Sequence, residues 1–89
     1  MGMELTDAVR MIMSESARHP ELLRVARTSY DDLSSGRPVH HTALSGMLRQ
    51  AARKNVYPAL RARYGVEAFN DMVLALGREI DRQAPAVRR

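Results

Sequence analysis

Apolar residues recur along this chain at helical spacing. With each residue advancing about 100° around an axis, Leu5, Ala8, Val9, Ile12 and Met13 share one arc, which predicts a first helix over 4–18. Thr6 and Asp7 suit its first turn, where negative charge opposes the positive end of the helix dipole. Pro20 then resets the chain at a position where its missing N–H costs nothing. Leu22, Leu23, Ala26, Tyr30 and Leu33 form the next stripe, predicting a helix over 20–34 that Ser34-Ser35-Gly36 ends. A loop follows over 36–41, with His41 or Thr42 as the cap of a third helix. That helix, 42–55, has Ala43, Leu44, Met47, Leu48, Ala51 and Ala52 on one face and Arg49, Gln50, Arg53 and Lys54 on the other.

After Asn55 the apolar phase slips. Val56, Leu60 and Tyr64 point roughly 140° from the earlier face on the same wheel. Pro58 stands at the slip and removes a backbone donor. The pattern predicts a break at 55–57, a short helix over 58–64 and a stop at Gly65. Val66, Phe69, Val73, Leu76 and Ile80 then alternate three and four apart, the mark of a narrow buried or coiled-coil-like seam, predicting a helix over 66–83. Pro85 follows, so residues 1–83 read as one domain and 84–89 as a frayed basic tail. The expected fold is all-α: four to five short helices, about 4–18, 20–34, 42–55, 58–64 and 66–83, around one core.

Composition supports this reading. One Phe, no Trp and two Ile are a poor supply for a β-core, whereas Ala, Leu, Met, Arg and Glu favour helix. The chain has no cysteine, which excludes disulfides and thiolate metal sites and favours a reducing, cytoplasmic setting. No apolar run approaches the roughly 20 residues that span a bilayer. Met1-Gly2-Met3-Glu4 does not read as a signal peptide.

Charge is unevenly placed. Residues 1–32 carry four Arg and six acids, and residues 67–89 carry four of each. Residues 33–66 carry Arg37, Arg49, Arg53, Lys54, Arg61 and Arg63 and no acid at all. An acid-free stretch of that length in a chain that is 27% charged is a candidate binding surface. Arginine supplies planar, bidentate donors to carboxylate or phosphate.

Catalytic constellations are missing. His40 and His41 adjoin in a loop but lack metal-ligand spacing, so they read as polar loop and cap residues at the edge of the basic surface, with a pH-sensitive contact as their one sharper role. His41 and Ser45 are four apart with no oxyanion donor in view. Asp31 and Asp32 diverge around a helix and form no acid–base pair; they are expected to offset Arg24 and Arg27. No glycine-rich phosphate loop occurs, and the chain carries no repressor, ribbon-helix-helix, histone-like or antitoxin signature. The chain is therefore expected to be no enzyme and to need neither metal nor cofactor.

Three kinds of partner fit a basic helical surface. An acidic protein surface is favoured, the chain acting as a regulator or inhibitor. Met11 and Leu74, each off the main face of its helix, are candidate apolar contacts for it. Nucleic acid is the alternative, using the same side chains on phosphates. A helix-turn-helix centred on Gly65 would, however, line its reading helix with Glu67, Asp71, Glu79 and Asp81. A membrane surface is disfavoured, because the 42–54 face is rich in Ala and lacks an aromatic anchor. The seam at 66–83 is also a candidate homodimer contact.

Overall fold

Five helices and no strand make up residues 2–83, the part of the chain that the computed structural model describes. They are α1 (Leu5–Ser14), α2 (Pro20–Ser34), α3 (His41–Arg53), α4 (Val56–Tyr64) and α5 (Val66–Gln83). The fold is all-α, as the periodicity predicts. The tail expected at 84–89 lies outside the described residues.

Helix α1 is shorter than predicted, ending at Ser14 rather than 18. Serine hydroxyls account for this. Ser14 Oγ donates to the Met11 carbonyl at 2.9 Å, and the buried Ser16 Oγ donates to that of Ile12. The backbone tightens with them: Glu15 N–H bonds Ile12, Ser16 N–H bonds Met13, and His19 N–H bonds Ser16, all three residues back. Side chains that compete for the carbonyls of the preceding turn end the helix, leaving 15–19 as a compact turn.

Helix α2 ends in a Schellman motif. Gly36 adopts φ +79°, its N–H bonds the Leu33 carbonyl at 3.2 Å, and the Arg37 N–H reaches back to Asp32 at 2.8 Å. Val39, 2% exposed, pins the following loop to the core. The cap of α3 is His40, one residue earlier than expected and without a side-chain cap bond; His41 is the first helical residue.

The α3–α4 break falls at Asn55 rather than through the missing donor of Pro58. Asn55 sits at φ 59°, ψ 33°, the left-handed region, which asparagine tolerates better than most residues. One such residue ends α3 and shifts the apolar phase of the helix that follows. Pro58 then falls in the first turn of α4, where its N–H would have no intrahelical partner, so α4 begins at Val56. At the other end Gly65 (φ 95°, ψ 161°) occupies backbone space essentially confined to glycine. Its N–H closes α4 on Arg61, and its carbonyl accepts from Phe69 N–H to open α5.

All five helices contribute to one core: Val9 and Ile12, Leu22, Leu44 and Met47, Leu60, and Met72 and Leu76 are fully buried or nearly so. Each such side chain contributes about 1.5–3 kcal/mol by burial. Two expectations need correction. Met11 is 7% exposed and belongs to this core, because α5 packs on the flank of α1 that the main apolar arc leaves open. The α5 seam is not deeply buried along its length either. Val66 is 59% exposed and Phe69, Val73 and Ile80 are half-buried, while Met72, Ala75 and Leu76 form the buried centre. The helix is gripped by α1, α3 and α4 together, so its buried face is broader than the stripe and turned toward α1.

Candidate interaction surface

The six basic residues of 33–66 divide by partner. Arg37 Nε donates to Asp32 at 3.0 Å, a pair that the Schellman turn brings together. Asp32 therefore offsets Arg37 and not Arg24 or Arg27. Arg63 pairs with Glu15 of the α1–α2 turn at 2.7 Å. Its guanidinium also lies 5.3 Å from the centroid of the Tyr64 ring, whose hydroxyl is 3.0 Å from Ser14 Oγ. The hydrogen bond to Glu15, and after it the charges of Tyr64 and Glu15, favour the charged form of Arg63. Arg61 stacks over Phe69 at 5.0 Å, and Phe69 meets Tyr57 edge-on at 5.2 Å. Arg37, Arg61 and Arg63 thus have intramolecular contacts of their own.

Arg49, Arg53 and Lys54 differ. All three are exposed, and none forms an ion pair among the described residues. Arg53 and Lys54 stand at the C-terminal end of α3, where the helix dipole favours cations. Arg49 lies one turn earlier, with no such role. Lys54 lines a shallow depression of about 350 Å³ with Arg18, His19, Pro20 and Glu21, so the α1–α2 turn and the α3–α4 junction lie side by side. Arg18 is exposed and also unpaired among the described residues. Glu21 is the one carboxylate of this depression.

Arg18 is a residue that the sequence does not point to: its segment carries net negative charge, and the periodicity places it in the first helix. The closely spaced Ser14 and Ser16 are the signal that could have placed a turn there. His40 is exposed and His41 half-buried at the start of α3. Among the described residues no three His, Cys, Asp or Glu side chains gather as a metal would require. No described helix is long and apolar enough to cross a membrane. Leu74 is 52% exposed on α5.

No protein-family model, curated protein or solved structure matches this chain.

Proposed function

We propose that this chain is a non-enzymatic interaction protein that regulates or inhibits a larger partner, docking through Arg49, Arg53 and Lys54 on an acidic protein surface. The observation that carries this reading is three exposed cations at one end of α3, free of ion pairs among the described residues, in a stretch that contains no acid. Arg18 beside Lys54 extends the surface onto the α1–α2 turn. Arg37, Arg61 and Arg63 are left out of it, being engaged by Asp32, Phe69 and Glu15, and His40 and His41 stand at the opposite end of α3. Charge of one sign raises the on-rate for an oppositely charged partner and fixes its orientation. The lack of cysteine fits action in the cytoplasm.

The test uses wild type and Arg49→Glu/Arg53→Glu as baits in a nuclease-treated lysate, then rebinding of the captured protein in purified form. Reversal of two contacting charges is expected to weaken that complex tenfold or more, about 1.4 kcal/mol. Equal affinity for both baits would overturn the proposal. Binding of duplex DNA or RNA with a steep salt dependence, a log–log slope near −0.9 per duplex phosphate contact, would assign the surface to nucleic acid instead.

A further inference from the structure

Two depressions meet at the α1–α2 turn. The one that Lys54 lines, of about 350 Å³, continues past Arg18 and His19 into a second of about 340 Å³ between that turn and the start of α4. Val56, 2% exposed, lines the second together with the exposed Ala17 and Ala59. Two polar side chains on its wall are already engaged, Ser14 by Tyr64 and Glu15 by Arg63. The result is a small apolar cup that opens beside Arg18 and Lys54, both exposed and without an ion pair among the described residues. Charge around it is lopsided. Beyond Pro20, Arg24, Arg27 and Asp31 line a third depression. With Glu21 counted on that side, two acids and two bases cancel there. In the other direction α3 carries Arg53 and, one turn earlier, Arg49, and residues 33–66 hold no carboxylate. Uncompensated positive charge therefore runs from Arg18 through Lys54 onto α3, and not along α2.

We infer that the partner presents an extended acidic segment to this track. An apolar side chain of the segment sits in the cup on Ala17, Val56 and Ala59, and the adjoining carboxylate lies between Arg18 and Lys54. Further carboxylates lie toward Arg53 and Arg49. This names the partner chemistry of the docking surface proposed above and rests on it. The Arg18 guanidinium holds a carboxylate through two parallel bonds, and Lys54 adds a compact charge. Positive charge by itself fits phosphate as well as carboxylate, and the cup is what separates them. A sugar–phosphate backbone has no apolar side chain to place in it, and neither depression has Phe, Tyr or Trp on its wall as a platform for bases. Burial of an aliphatic side chain also separates a segment that carries one from a plain run of acids.

Fluorescence anisotropy with two labelled synthetic peptides tests it. Both are acidic and equal in length and charge; one has a central leucine and the other a serine in its place. Wild type is expected to bind the leucine peptide about tenfold more tightly. Ala59→Gln, which fills the cup without changing charge, should abolish that advantage and leave the affinity for the serine peptide as it was. Arg18→Glu should weaken both peptides about tenfold or more, and Arg24→Glu, on the neutral side, should have much the smaller effect. All three positions are exposed, so helicity by circular dichroism should hold. Equal affinity of wild type for the two peptides refutes the inference, as does a leucine advantage that survives Ala59→Gln. Binding of neither peptide, or tighter binding of a single-stranded oligonucleotide of the same charge, refutes it too. The docking surface is judged apart from the cup. If Arg49→Glu/Arg53→Glu weakens both peptides while Arg18→Glu and Ala59→Gln change nothing, α3 alone makes the contact and only the present inference falls.

Discussion

Removing a single oxygen from Tyr57 probes how α3 is tied to α4. The Tyr57 hydroxyl donates to the Leu48 carbonyl at 2.9 Å, and its half-buried ring packs edge-on against Phe69. Tyr57→Phe keeps the ring and deletes the bond, at a cost of about 1 kcal/mol. For 89 residues the unfolding entropy is about 190 cal/mol/K, so melting falls by about 5 °C near neutral pH. Burial pushes the Tyr57 phenol up from its ordinary 10.0 to about 12. Its contribution to stability is therefore complete below pH 10 and is lost as pH rises through 12, since the unfolded chain ionises first. At about pH 11 a fully buried phenol would lose about 1.4 kcal/mol; a half-exposed one, screened by water, loses roughly half that. The gap between wild type and Tyr57→Phe, measured by thermal or urea unfolding, should shrink from about 1 kcal/mol near pH 8 to a few tenths near pH 11. Taking the difference cancels every other group that titrates in that range. Equal stability near pH 8, or a gap unchanged on going to high pH, would refute the reasoning.

Other predictions follow from single positions. Met11→Ala, in the core, should cost about 2–4 kcal/mol in chemical denaturation, whereas Leu74→Ala should stay within about 0.5 kcal/mol; similar values would mean that the burial assignment is wrong. Asn55→Gly should hold or raise the melting temperature, while Asn55→Val, β-branched in a left-handed position, should lower stability by about 1–2 kcal/mol. Glu79, bonded to Arg82 and Gln83, titrates below its ordinary 4.5, the Arg82 bond being the largest cause. The stability it contributes is complete above pH 4.5 and lost as pH falls through its lower folded value. Glu79→Gln should therefore unfold with a shallower acid dependence, and an unchanged acid limb would remove the pair from the account.

Much of the fold was legible because helical periodicity is a local property. The boundaries of α2 and α5 follow from Pro20, the Ser-Ser-Gly stop and Gly65, each acting within a few residues of itself. The phase slip after Asn55 was legible too, although its cause was misassigned: proline advertises itself in a sequence, while a left-handed asparagine is visible only in backbone angles. The early end of α1 escaped because serine back-bonding competes with helix continuation by small margins that propensity does not resolve.

What the sequence by itself determined is the set of helices, the absence of disulfide chemistry and the acid-free stretch that concentrates positive charge. Tertiary structure alone decided which of those charges remain available. Glu15 and Arg63 are 48 positions apart and meet only because the α1–α2 turn packs near the end of α4. Arg18 and Lys54 line one depression only because the α1–α2 turn and the α3–α4 junction lie side by side. The fate of Met11, Val66 and Leu74 was decided in the same way. Periodicity states which side of a helix is apolar, but how much of that side is covered depends on the number and angles of the neighbours, which are set by packing across the whole chain.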